Sequence, residues 1–451
     1  MKEELKKVLR TAPLKTMCLL FIGWILMVII NYFINTHFFY NGTRLTFPMS
    51  VVYINQFSVT GFFFSFLFLI FGLLVVKQYQ NLSKINLILS YFILIILGNL
   101  AQGSIHQSFL RSLLDTDFQY YHDVLKVTSG YDFISHYNEN QETLTMHAKT
   151  HPPFSVWLHY IIWKIANYSP LGLAYGMSIL GLTAIFPYMK ILDFFKIKSN
   201  HKKILILLFA LLPAVNIYSI VSIDAIFLMF SLWFLYGLLL IVDSKKINIK
   251  GIALVLLGFI GANMISFSGT FFACVAALVS FYQLIILKEK NTLYNFIIVG
   301  LCFLCFLGIL YLGLNYNHID AFFNASKSEN PRGFRGFAEP AIYFFTRLEN
   351  ISEILLFLSF GFFAYLFQPK IFHFKKRQLN FILPIIALST ILLMFVTGAY
   401  ATGETARACL FLYPYFIMLL FNIKDIQILK NITYIALFQT FFMQMLGDYF
   451  W

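Results

Sequence analysis

Charge is what this chain has least of. Asp, Glu, Lys and Arg make up 12% of its 451 residues, about half the share found in soluble domains, which excludes a water-solvated globular enzyme. Cysteine is also scarce. The five thiols, Cys18, Cys274, Cys302, Cys305 and Cys409, fall in or beside apolar runs, so no disulfide framework is expected, and Cys302 with Cys305 reads as packing and not as a redox pair. The first apolar run, Thr16 to Ile34, lacks a small-residue cleavage site and is taken as a retained helix, not a signal peptide. No internal repeat argues for the inverted halves of many secondary transporters.

What remains is hydrocarbon. Hydrophobic residues reach 59%, with 54 Phe, and apolar runs of about 17–22 residues recur from end to end. Lipid offers the backbone no partners, so such runs favour helices over barrel strands. The expected fold is an all-α polytopic membrane protein, one membrane domain over 1–451, with about 13 transmembrane helices running from 16–34 to 432–446 and including one at 351–367.

The net charge of +13 sits in small groups at the ends of apolar runs, which orients a membrane protein and does not suit nucleic acid. Lys2, Lys6, Lys7, Arg10 and Lys15 place the amino terminus in the cytoplasm. Alternate connections carry the other clusters, among them Lys77 and Lys84, Lys196 to Lys203, Lys245 to Lys250, and Lys370 to Arg377. The long polar segments 35–56, 102–169, 315–350 and 397–407 then fall outside. Of these, 102–169 is the expected catalytic loop, closing with an interfacial helix over Phe154 to Tyr168, and 315–350 is a second extracytoplasmic loop. The expected location is a cell membrane, multi-pass, with the site on the outer face.

Chemistry-bearing residues concentrate on that face. "LLDTDFQYYHDV" holds Asp115, Asp117, Tyr121 and His122; either carboxylate suits a general base, and a helix cap is the plainer role. In "MHAKTHPPFSVWLHY" the prolines Pro152 and Pro153 fix Lys149 and His151 ahead of a helix, where positioned cations suit an anionic lipid head group. His147 and His151 are four apart, but the prolines break the helical spacing a metal site would need, so no metal site is expected. Asp224, at the outer end of a helix, faces the protein interior or caps that helix. Glu404 and Arg407 are either a self-satisfying pair or a phosphate fork with its orienting acid. Arg332 and Arg335 lie in a glycine-broken segment that suits a mobile lid or a solvated loop.

In their order, "DTDFQYY", "HPPFSVWL" and "SIDAIF" resemble the motifs of the type C (GT-C) integral-membrane glycosyltransferases, in the branch of aminoarabinose transferases and protein O-mannosyltransferases. The similarity covers roughly residues 105–240. It implies inverting transfer of a sugar from a polyprenyl-phosphate donor to a lipid, glycan or protein acceptor on the non-cytoplasmic face. On this resemblance Asp117 is the base, with Asp115 in reserve. Lys149, His151 and Arg407 bind the donor phosphate, supported by Tyr121, His122, Asp224, Glu404, Arg332 and Arg335. The donor lipid and the bilayer are the expected partners. No bound cofactor is called for, and a divalent cation stays an open option. A lipid-linked-sugar flippase and an O-antigen polymerase or ligase are the competing functions.

Overall fold

The computed structural model describes residues 13–38, 53–54, 57–368, 378–400 and 405–449. Helices dominate them, as the apolar runs require. Six are long and apolar enough to cross a membrane: Val59–Lys77, Pro170–Phe194, Ile223–Val242, Phe267–Ile285, Asn291–Leu314 and Leu379–Val396. A seventh qualifies if the bent pair Pro340–Phe357 and Phe360–Leu366 is one passage. Other apolar helices, such as Lys84–Leu100 and Ile249–Ile265, are shorter, so helix length does not establish the expected thirteen crossings. Among the described residues one β element pairs Tyr53–Ile54 with Gly447–Asp448, antiparallel.

Local chemistry sets where helices begin. Side chains of Ser58, Ser83, Ser169, Ser222, Asn248 and Asp425 each accept a first-turn amide, satisfying a donor the helix leaves unpaired. Small residues then set how closely helices pack. Between Ile223–Val242 and Ile249–Ile265, a Cβ on Gly237 would lie 2.7 Å from the Val255 amide nitrogen, and one on Gly258 would press on the Phe234 backbone. Backbones this close replace the hydrophobic drive that lipid cannot supply.

The connections sort to two ends. Lys203 Nζ bonds the Gln80 carbonyl, His201 the Lys424 carbonyl, and Asn291 the Lys245 carbonyl. The lysine-bearing turns therefore meet at one end, as charge placement predicts. At the other end the two long polar segments dock on each other. Asn138 and Asn317 exchange bonds of 2.8 and 3.0 Å, and Gln141 reaches the Ala321 carbonyl.

Segment 102–169 is a run of short helices closing with Phe154–Ile165, at the position given to the interfacial helix. One sequence expectation needs correction. The second segment does not extend to 350, because Pro340 starts a helix that runs to Phe357 and buries Thr346, Glu349, Asn350 and Glu353. These polar residues disguise a helix whose inner face is polar.

Replacing Gly258 by Ala should lower the thermal midpoint in detergent by an amount equivalent to about 2 kcal/mol, since backbone must move to admit the methyl. Gly300→Ala, where nothing lies within 4 Å, should leave it unchanged; equal midpoints for the two variants would refute the close-packing account.

Candidate functional site

The segment around the double proline is held from several sides. The buried Asp123 carboxylate accepts the Thr145 amide at 2.9 Å and its hydroxyl at 2.6 Å. The His147 amide donates to the Phe118 carbonyl at 3.2 Å, which ties the histidine stretch to the acidic turn. Tyr137 places its hydroxyl 3.0 Å from the Ala148 carbonyl and 2.5 Å from that of His151. Gln141 donates to the Lys149 carbonyl at 2.8 Å. Pro152 and Pro153 then lead into Phe154–Ile165. The proline punctuation thus fixes one backbone path at the bundle's end.

Three histidines gather around the buried Tyr120 ring. Its centroid is 5.1 Å from His159, 5.6 Å from His151 and 6.1 Å from His147. Burial pushes His147 from 6.5 down to about 3, helped by the positive charge of Arg407 and by His151. His151 falls to about 4 through burial, against its bond to the His147 carbonyl and with further lowering by Arg407. The neutral form of His151 is therefore favoured near pH 7, in contrast to the cation expected there. With Nδ1 donating to the His147 carbonyl at 2.9 Å, the hydrogen-bond pattern assigns its lone pair to Nε2.

Arg407 is the charge that remains. Its Nε lies 3.2 Å from Asp224 Oδ2, with side chains only 19% and 14% exposed. Asp224 sits in the first turn of Ile223–Val242, where Ser222 caps the helix and its hydroxyl stands 3.4 Å from the carboxylate. Asp224 thus pairs with Arg407; Glu404, the acid expected to orient it, lies outside the described residues.

The other expected residues lie farther out. Asp117 is exposed beside Phe118, whose carbonyl holds His147. The helix starts only at Tyr120, so Tyr121 does not share a helical face with Asp117 and instead packs edge-on against Trp163. Asp115 is exposed, pairs with His106 at 3.0 Å, and ends the short helix Arg111–Leu114 with its backbone amide. His122 folds the acidic turn back by bonding the Thr116 carbonyl at 2.7 Å. Lys149 is half-buried and in no ion pair among the described residues. Arg332 is 79% exposed and bonds Glu339, and Arg335 bonds the Glu329 carbonyl; both are engaged within their own segment. Among the described residues no three His, Cys, Asp or Glu side chains could share a metal ion. Surface depressions of about 250 and 290 Å³ lie at the lysine end, by Gln378 and Lys198, away from this cluster.

Sequence reasoning missed Arg347, Asn350 and Glu353. All three contact the segment before Arg407, and only their spacing of three residues on one helix signalled a shared face.

No family model matches the chain, and no curated protein matches it. Among solved structures, the crystal structure of ArnT from Cupriavidus metallidurans in the apo state aligns at a TM-score of 0.39 and 10% identity, over 68% of this chain and 55% of ArnT. The chain thus spans about half the length of that protein.

Asp224→Ala strands a half-buried guanidinium and should cost about 3 kcal/mol of stability. The double variant with Arg407→Gln should recover most of it in thermal-midpoint measurements, and no recovery would mean the two groups are not coupled. The histidines give a pH signature. Unfolded, they take up protons near 6.5; folded, they do so only near 3 and 4. Their contribution is intact above about pH 6.5 and declines as pH falls, by about 1 kcal/mol per histidine at about pH 5.5. A pH series on wild type and a His147→Asn, His151→Asn double variant should show the acid-side decline flattened in the variant.

Proposed function

We propose that this chain is a glycosyltransferase that moves a sugar from a polyprenyl-phosphate donor to an acceptor hydroxyl at the end of the bundle away from the lysine turns. By the positive-inside rule that end is the non-cytoplasmic one. The observation that carries the reading is a convergence of the three motifs that resemble the type C glycosyltransferases. Tyr120 of the acidic motif stacks on His159 and meets His151 edge-on, both from the proline motif. Asp224 of the third motif holds Arg407, whose charge acts on His151.

In this reaction Asp117, exposed at the rim, takes the proton of the acceptor hydroxyl. The acceptor oxygen bonds to the anomeric carbon from the face opposite the phosphate. The bond from that carbon to the phosphate oxygen breaks, its electron pair stays on the phosphate, and configuration inverts. The leaving phosphate gains negative charge, which Arg407 neutralises in a site partly screened from water. Lys149 adds a second cation when its side chain turns inward. Neutral His151 contributes a hydrogen bond, not a charge.

A transport reading draws on Glu349 and Glu353, carboxylates buried in an otherwise apolar passage, since intramembrane charges mark ion and substrate paths. Glu353, however, is engaged by the amides of Thr405 and Ala406. The deciding experiment supplies radiolabelled sugar on a panel of polyprenyl-phosphate donors to the protein in reconstituted vesicles. Wild type should transfer label, and Asp117→Asn should be slower by about 100-fold or more. Transfer undiminished in Asp117→Asn removes that residue as base. No transfer from any donor, with labelled lipid crossing the bilayer in wild type and variant alike, would replace the enzyme reading with a flippase.

A further inference from the structure

Arg347, Asn350 and Glu353 recur at every third position on Pro340–Phe357 and present one polar face. Each contacts the stretch that leads to Arg407. The Arg347 guanidinium donates to the carbonyls of Phe395, Ala399 and Tyr400, and lies 5.1 Å from the Tyr343 ring centroid and 5.4 Å from that of Phe395. It closes the carboxyl end of Leu379–Val396, where a cation is favoured. Tyr343 adds its hydroxyl to the Val396 carbonyl at 2.6 Å. Asn350 donates to the Thr405 hydroxyl. Glu353, wholly buried, accepts the amides of Thr405 at 2.6 Å and Ala406 at 3.3 Å.

The last contact matters most. Arg407 follows Ala406 directly, on a turn of only four residues, Thr405–Ala408. So short a turn does not hold its own geometry. A carboxylate out of water is costly unless hydrogen bonds satisfy it, and donors here include the two amides that precede the arginine. We propose that Glu353 is a positioning residue, fixing the Thr405–Ala408 turn so that Arg407 stands against Asp224 in the phosphate-binding pose. Its functional consequence rests on the reading of Arg407 as the phosphate group; its geometric content does not.

The test uses the full-length protein in detergent and reads Arg407 directly. Phenylglyoxal modifies accessible guanidinium groups, and peptide mass spectrometry scores Arg407 against Arg332, which is 79% exposed. Glu353→Leu should raise the labelling rate of Arg407 by about threefold or more, as its pairing with Asp224 loosens, and leave Arg332 unchanged. Glu353→Gln keeps a carbonyl oxygen for the two amides and should restore the wild-type rate, a rescue that a general loss of packing would not give. Arg407 labelling in Glu353→Leu equal to wild type overturns the proposal. Where the leucine variant does not fold, Asn350→Ala removes the side-chain bond to Thr405 and should raise Arg407 labelling by about twofold, again against the proposal if it does not. In parallel, polyprenyl phosphate itself is the binding probe. It should bind Glu353→Leu about fivefold more weakly and Glu353→Gln as wild type. Arg407→Ala binding that probe as tightly as wild type would sink the phosphate reading, while the labelling result would still decide the positioning of Arg407.

Discussion

The bundle depends on one constraint: a polar group taken out of water must find its partner inside the protein. Where helix ends meet, this produces a ladder of amides. Asn99 bonds the Asn216 carbonyl at 2.7 Å, Asn216 bonds the carbonyls of Leu94 and Ala210, and Gln444 bonds the Asn216 side chain at 3.0 Å. Gln102 continues it to the Gln444 backbone. Lipid cannot drive helices together as water does, so these bonds and the close glycine contacts specify which helices are neighbours. The same rule, applied to charges, shapes the site: Asp224 answers Arg407, Glu353 answers two amides, and Arg347 answers three carbonyls.

Much of the helical framework was legible because apolar runs and serine caps are local signals. The cap of Ile223–Val242 can be read as Ser222 from four consecutive residues. The start at Pro340 could not be read that way. Its helix turns Thr346, Glu349, Asn350 and Glu353 inward, and a charge inside a run looks like the end of the run. Telling an inward polar face from a loop requires knowing what it meets, here a segment 52 to 55 residues onward.

The site shows the same division. The fold brings Asp224, from another helix, to Arg407, a neighbour that local spacing does not offer. Local composition offers His151 as a cation, and burial beside Arg407 favours its neutral form. Charge state and pairing are set by neighbours distant in sequence, whereas residue type is all that a motif displays. Tyr120, His151 and Asp224 come from the three separate stretches and end within one cluster.

A bundle of this kind can build a charged site only where helices end. Within the apolar passages a carboxylate is kept when donors are fixed around it, and those donors are plentiful at helix starts and turns, where backbone amides lack intrahelical partners. Asp224 occupies the first turn of its helix, and Glu353 meets the first turn of another. Arg407 is therefore set by helix ends on both sides, with its charge partly balanced before any ligand arrives. An anion approaching it displaces little protein structure, because the segment bearing the arginine is already anchored by Glu353 and Asn350 and the histidines beside it are neutral. On the proposed reading, the orientation of the Arg407 guanidinium governs how it meets a phosphate, and the polar face of Pro340–Phe357 that anchors its turn becomes part of the site.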